Sequence, residues 1–361
     1  MKTAVVSVTN DLTGDQRIHR TAAFLEKNGF KVILVGRKLK NSLPYTGPFK
    51  YKRFKLLFNK GPLFYAEYNL RLFLMLLCKN PDLYFSNDLD TLSANFLASK
   101  FHGNKLIYDS HELFTDVPEL NNRPTIKKIW QIIEGFILPK IKEMITVSDS
   151  VADVYRNKYR IEVKVLRNLP VRKLSKEKAL LNTGGKKVIV YQGALNVDRG
   201  IEEMISAMKY LDDYVFLIMG TGDIDHKLKQ LAQNENVLEK LIFTGKIPLE
   251  KLHSYTLNAQ LGISLEKDTN LNYRYSLPNK IFDYIQANVP ILVSDLPEMK
   301  KVIEKYRIGK IVNSHDPKEL ADLVLQIIND ASGYKSIKSN LELAAGELCW
   351  EKEEVILESL I

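Results

Sequence analysis

Apolar and polar positions alternate along the chain in a way that predicts strands and helices in turn. The run "TAVVSV" reads as a strand buried on both faces, and "TNDLTGDQR" as the polar loop behind it. A helical period follows over 18–28 and stops at Gly29, a residue suited to a helix end. "KVILVGR" is the next strand, which completes a βαβ unit. "DLYFSND", "KLIYDSHE", "MITVSDS" and "EVKVLRN" read as further strands, each closing on polar residues. Residues 171–186, "VRKLSKEKALLNTGGK", lack periodicity and read as a linker. The alternation then restarts with "KVIVYQGAL", "YVFLIMGTGD", "LIFTGKI", "LGISLE", "PILVSD" and "GKIVNS". Helices are expected over 201–210, 224–234, 248–257, 279–288 and 317–329. The pattern predicts an α/β chain of two doubly wound domains. They cover 1–170 and 187–340, with a closing helix over 341–361 that reads either as an ordinary capping helix or as one crossing back to the first domain on Trp350.

Composition narrows this picture. The 361 residues suit two domains, and 45% hydrophobic with 26% charged content is that of a globular protein. Two cysteines, Cys78 and Cys349, give no disulfide framework or zinc site and point to a reducing compartment. The opening "MKTAVVSVTND" is too short in its apolar run for a signal peptide. The longest apolar run, Leu70 to Cys78, is about half of the ~20 residues a membrane span requires. A cytoplasmic location is expected. Charge is uneven: residues 1–170 hold 27 Lys+Arg against 16 Asp+Glu (+11), and 171–361 hold 25 against 27 (−2). The basic half suits an anionic membrane, a phosphate-bearing substrate or nucleic acid, or serves as a solubilising surface.

In open parallel sheets, ligands bind beyond the carboxyl ends of the strands, beside helix N-termini. In the second half those positions hold Gly193, Arg199 and Gly200; Gly220, Thr221, Gly222 and Asp223; Gly245 and Lys246; and Glu266. The stretch "SLPNKIFDYIQANVPILVSD" adds a helix start. Pro278 has the φ of a helix opening, and Asn279 and Lys280 lie in the first turn. A lysine there opposes the helix dipole unless an anion such as a diphosphate binds beside it. Asp283 shares the face of Lys280 and suits a ribose diol. In the first half, Gly14, Asp15 and Arg17 follow the first strand, and "DSHE" places His111 at a strand end. There it is suited to bonding a hydroxyl or to proton transfer. "DLD" (88–90) is a lone three-residue match to a metal motif, so no metal site is assigned.

These segments resemble glycosyltransferase family 4, the retaining enzymes of the GT-B fold, over essentially the whole length. "SVTNDLTGDQRIHRTAAFLEKNGFKVILVGR", "YDSHELF", "GALNVDRGIEEMISAM", "LIMGTGD", "IFTGKIPLEKLHSYTLNAQLGISL" and "SLPNKIFDYIQANVPILVSDLPEM" fall in the family's order. The resemblance implies two Rossmann-like domains facing a cleft, with a nucleoside-diphosphate sugar held by the second and no metal or other cofactor. It implies that Arg199 and Lys280 act on the donor diphosphate and that His111 orients sugar or acceptor. Gly14, Gly193, Gly220 and Gly222 would lie along the donor, with the base near Gly245 and Ile247. Leu277 and Pro278 would contact phosphate through backbone groups, Asn279 would join them in binding the donor, and Asp283 would hold the ribose. Tyr275 stands where the family's first acid falls, and Ala194 where an arginine is frequent.

The implied reaction is hexosyl transfer to a hydroxyl of a glycan or lipid-linked acceptor, in polysaccharide or glycoconjugate synthesis. Residues 123–143 place Ile126, Ile129, Trp130, Ile133 and Ile137 at helical spacing, flanked by Lys127, Lys128, Lys140 and Lys142. This reads either as a core-packing helix or as an interfacial one, peripheral on the inner face of an anionic membrane. A sugar-nucleotide 2-epimerase of the same fold is the nearest alternative. A basic nucleic-acid binder is a weaker one, because no helix-turn-helix or aromatic-basic pattern is present and no nucleic acid is expected as partner. A dinucleotide dehydrogenase would need the Gly-x-Gly-x-x-Gly turn that the first loop lacks.

Overall fold

The computed structural model describes residues 1–117, 120 and 123–361. The chain forms two compact units, Met1–Asn168 with Glu354–Ile361, and Leu169–Glu353.

The first unit is a parallel sheet of β1 (Lys2–Ser7), β2 (Phe30–Arg37), β3 (Lys50–Phe54), β4 (Leu83–Asn87), β5 (Lys105–Ser110), β6 (Glu143–Thr146) and β7 (Lys164–Val165). Their order is β3-β2-β1-β4-β5-β6-β7. The crossovers include α1 (Gln16–Lys27), α2 (Gly61–Lys79), α3 (Leu89–His102), α4 (Pro124–Ile137) and α5 (Asp149–Tyr159). Ala4, Val5 and Val6 are fully buried, as a central strand covered on both faces requires. The order reverses between β1 and β4, which makes their carboxyl ends the natural crevice. Asp15 caps α1 by accepting from the amides of Arg17 and Ile18.

Several elements differ from the sequence expectation. β3 is an edge strand whose exposed Lys50 and Lys52 mask its β character and discourage edge pairing. α3 hides its helical period because its buried face carries Asp90, Thr91 and Asn95. The helix expected over 123–143 ends at Ile137, and Ile129, expected on its packing stripe, is exposed.

The second unit pairs β8 (Lys187–Gln192), β9 (Tyr214–Met219), β10 (Leu241–Gly245), β11 (Leu261–Ser264), β12 (Ile291–Ser294) and β13 (Gly309–Val312) in the order β10-β9-β8-β11-β12-β13. Its helices are α6 (Ile201–Ala207), α7 (Asp225–Asn234), α8 (Leu249–Thr256), α9 (Leu271–Arg274), α10 (Asn279–Gln286), α11 (Pro297–Tyr306), α12 (Pro317–Asn329), α13 (Ala331–Glu347) and α14 (Trp350–Glu353). Along β8, Ile189 and Tyr191 join one core layer and Val188 and Val190 the other, the two-residue period of a strand buried on both sides. The reversal here falls between β8 and β11.

Residues 171–186 form no helix or strand and lie along this second unit. The amides of Arg172, Lys173 and Ala179 bond Glu351, Gln286 and the Ser254 carbonyl. The stretch expected as one closing helix is broken at Leu348. Buried Trp350 donates its amide to the Pro170 carbonyl (2.8 Å), and α15 (Val355–Glu358) groups with the first unit.

Candidate functional site

At the β8/β11 reversal of the second unit lies a cavity of about 350 Å³. Its floor is the end of β8, with Tyr191 and Gln192 leading into Gly193 and Ala194. One wall is the start of α10, with Pro278, Asn279, Lys280 and Asp283, and Arg199 and Leu252 complete the lining. Tyr284 pins α10 in place. Its buried hydroxyl accepts from the Gln192 amide (3.2 Å) and reaches the Ile263 carbonyl (3.2 Å). Gly262 makes room for that ring, since a Cβ there would stand 2.5 Å from it.

The electrostatic centre is Glu266, fully buried just beyond β11. Lys280 Nζ lies 2.6 Å and Arg199 Nη1 3.3 Å from its Oε1, while Ser264 Oγ donates to Oε2 at 2.7 Å. Burial works to raise the Glu266 pKa, but the two cations outweigh it and the carboxyl titrates below its usual range. The Lys280 pKa is lowered, first by burial, and Glu266 does not fully offset this. Arg199 is held charged because Glu266 overrides its desolvation. Each cation also faces a ring: Lys280 Nζ is 4.2 Å from the Tyr191 centroid and Arg199 Cζ 4.6 Å from that of Tyr273. Two cations share one buried carboxylate beside the first amides of α10, a setting suited to an anion. Asp283 stands on the same cavity wall as Lys280. It accepts from Gln192 Nε2 (2.7 Å), and Gln192 Oε1 in turn accepts from Thr256 Oγ1 (2.8 Å).

The glycines around this site are of different kinds. At Gly220, with φ +150°, a Cβ would stand 1.8 Å from the Gly193 carbonyl oxygen. Gly222 touches the Leu195 backbone in the same way. These two let the strand-end loops approach each other and do not line the cavity. Gly200 permits the approach to Leu265 that brings Arg199 to Glu266. Gly193 lines the cavity. Gly245 is open, and its carbonyl accepts from the Gly220 amide (2.9 Å). Ile247 and Leu277 pack, partly buried, against the second core layer. Gly14 is exposed in the loop before α1, in the first unit. Glu266 and Gln192 are the site residues with the least sequence signal: an acid beyond an apolar strand and a polar final strand residue.

A second cluster sits at the carboxyl ends of β1, β4 and β5 in the first unit. His111 Nδ1 is 3.3 Å from Asp88 Oδ2, and its Nε2 is 3.4 Å from Asp109 Oδ2. Its amide donates to Asp88 Oδ1 (2.8 Å). Asp109 is itself gripped by buried Arg17, whose Nε and Nη2 both donate at 2.7 Å. Burial pushes the Asp109 pKa up, but Arg17 and His111 override it and lower it to about 2. Burial alone would lower the His111 pKa, and the two carboxylates raise it to about 9. His111 is therefore an imidazolium at neutral pH, a donor rather than a base. Asp90 donates nothing when ionised and accepts from Thr9. Burial and then the charge of Asp88 raise its pKa to about 7. Asp88 adopts φ 58° and ψ 165°, a region normally left to glycine. The "DLD" carboxylates are thus engaged with His111 and Thr9, and no group of three His, Cys, Asp or Glu side chains arranged to hold a metal ion occurs among the described residues.

Residues 173–343 match the profile described as glycosyl transferases group 1, and residues 15–168 that of glycosyltransferase family 4. The chain is similar to the chitobiosyldiphosphodolichol beta-mannosyltransferase of Candida albicans, at 25% identity over 167 residues. The match covers 42% of this chain and 35% of that protein, so it spans about a third of the curated relative's length. Sucrose-phosphate synthase from Thermosynechococcus elongatus superposes with a TM-score of 0.82 at 15% identity, covering 100% of this chain and 98% of that one. Anabaena HepE in complex with UDP superposes with a TM-score of 0.76 at 14% identity, covering 100% and 99%.

Proposed function

The chain belongs to the group 1 and family 4 glycosyltransferases and has their GT-B fold, and on that premise we propose that it is a retaining enzyme using a nucleoside-diphosphate sugar. The acceptor in this reading is a hydroxyl of a glycan or a lipid-linked glycan, and the protein works in the cytoplasm at the inner face of a membrane. The observation that carries the donor assignment is the convergence of Arg199 and Lys280 on Glu266 beside the start of α10. A diphosphate has the charge and the acceptor oxygens to take over the ammonium and guanidinium donors and the free helix amides. That Anabaena HepE, of the same fold, binds UDP-glucose supports the choice of ligand class.

In the transfer, the bond from the anomeric carbon to the diphosphate oxygen breaks as the acceptor oxygen bonds on the same face. The acceptor proton passes to the departing phosphate oxygen. Arg199 and Lys280 stabilise the charge that grows there. Asp283, aimed by Gln192, accepts from ribose hydroxyls, and the His111 imidazolium, whose N–H groups stand 3.3 and 3.4 Å from two carboxylates, exchanges one of these long contacts for a sugar or acceptor hydroxyl.

Nucleotide release from a panel of nucleotide sugars tests this. Arg199→Ala and Lys280→Ala are each expected to lower kcat/KM by about 100-fold, or about 2.7 kcal/mol. Unchanged donor turnover in both variants would remove the phosphate-site assignment.

A further inference from the structure

On the first unit, α2 packs against α3 and α3 against α4. Each of the three helices turns apolar side chains outward as well as inward. α2 exposes Leu63, Leu70 and Leu74, α3 exposes Leu97 and Phe101, and α4 exposes Ile129, Ile132 and Phe136, all between 50% and 75% exposed. The α4 residues are spaced by three and four, a continuous stripe opposite buried Trp130 and Ile137. A helix with apolar residues on both faces is ordinarily covered on both, yet these side chains stay exposed among the described residues.

The layer runs into a basic pocket. A cavity of about 440 Å³ between the end of α3 and the chain behind α4 is lined by Lys100, Lys105, Lys140 and Lys142, with Glu143 its single acid. The two features are contiguous, because Lys140 Nζ sits 3.1 Å from the centroid of the Phe136 ring.

We propose that this layer docks on an anionic lipid surface, with the four lysines taking phosphate-bearing headgroups and the outward apolar side chains entering the interface. The proposal deepens the lipid-acceptor reading above and rests on it for the source of the ligand. Charge decides the occupant. The first 170 residues carry +11, so a second copy of this chain would bring like charge to the same face, whereas an anionic bilayer offers phosphates above and hydrocarbon below. No helix among the described residues is long and apolar enough to cross a membrane, so the contact is one of surface docking.

Co-sedimentation of the full chain with phosphatidylglycerol-containing vesicles, and with pure phosphatidylcholine vesicles, tests the idea. Binding is expected to the anionic vesicles and to fall by at least tenfold at about 0.5 M salt. Lys100→Glu with Lys140→Glu should weaken it by at least about 25-fold, at about fivefold per lysine. Ile132→Ser with Phe136→Ser should weaken it by at least tenfold, and both pairs should keep nucleoside-diphosphate binding, which reports a folded second unit. No anionic-vesicle binding at low salt, or binding by both variant pairs equal to that of the unsubstituted chain, overturns the proposal. Binding that inorganic phosphate abolishes while Ile132→Ser/Phe136→Ser leaves it intact also overturns it, since that is a free-phosphate site. A dimer in solution that dissociates in the serine variant would assign the face to a second copy. Vesicle binding without any nucleotide binding would sustain the surface and sink only the donor reading.

Discussion

The Lys280–Glu266 pair allows structural and binding roles to be measured apart. Lys280 is 7% exposed and Glu266 0%, and their charged atoms are 2.6 Å apart. Removing one member of a buried pair costs about 3–5 kcal/mol, because the other charge is left uncompensated. Arg199, still 3.3 Å from Glu266, holds the Lys280→Met cost to the lower end, about 3 kcal/mol. Glu266→Gln leaves two cations without a counter-charge and is expected to cost about as much. Replacing both removes the charges together with their desolvation, so the double variant should also cost about 3 kcal/mol, giving a coupling energy of about 3 kcal/mol.

Urea unfolding followed by tryptophan fluorescence reads this out. In a common Trp130→Phe background the remaining Trp350 is buried in the second unit and reports on it alone. Midpoints are comparable only if the urea slope is unchanged across the four proteins. Titration with a nucleoside diphosphate supplies the second axis. The double variant should recover stability relative to the sum of the singles without recovering binding. Single-variant costs that add to within about 0.5 kcal/mol would refute the coupling drawn from the geometry. Nucleotide binding intact in Lys280→Met would refute the role of the ammonium.

Three further outcomes are expected. Asp88→Ala should unfold the first unit more easily than Asp88→Gly by about 1–2 kcal/mol, since both lose the His111 anchor but only glycine sheds the strained backbone, and equal midpoints would mean that the strain is not there. The His111 pKa lies above its unfolded value of 6.5, so its stabilisation is complete below pH 6.5, declines as pH rises and is gone above about 9; a His111→Gln variant should lack that decline, of about 1–3 kcal/mol in urea unfolding. Asp109 has the opposite sign, with stability held above pH 3.8 and lost as pH falls towards about 2. Gly220→Ala should cost at least about 3 kcal/mol or break the loop contact with Gly193, and wild-type midpoints would remove the close approach.

What the sequence makes legible here is position along the chain, and what it hides is pairing across it. Lys280 stands out because a cation at a helix start conflicts with a local rule, and His111 because it follows an apolar strand. Neither clue names a partner. Glu266 is separated from Lys280 by a loop and α9, and from Arg199 by 67 residues, so the β8/β11 adjacency is what brings the three together. The charge state of His111 is hidden for the same reason, since it depends on Asp88 and Asp109 arriving from neighbouring strands. α3 and β3 escaped because buried polar residues and edge lysines erase the periodicity on which such readings rest.

The hidden pairings also share a direction. At the reversal in the second sheet two cations meet one carboxylate, and at the reversal in the first sheet two carboxylates meet Arg17 and His111. The first arrangement has cationic capacity to spare and favours an arriving anion. The second is closer to saturation: Arg17 is spent on Asp109, and His111 is held charged between Asp88 and Asp109. That second setting, whose cations already face carboxylates, has little pull on phosphate. The contrast between the two reversals, one suited to an anion and the other already balanced, thus follows from which charges each brings together.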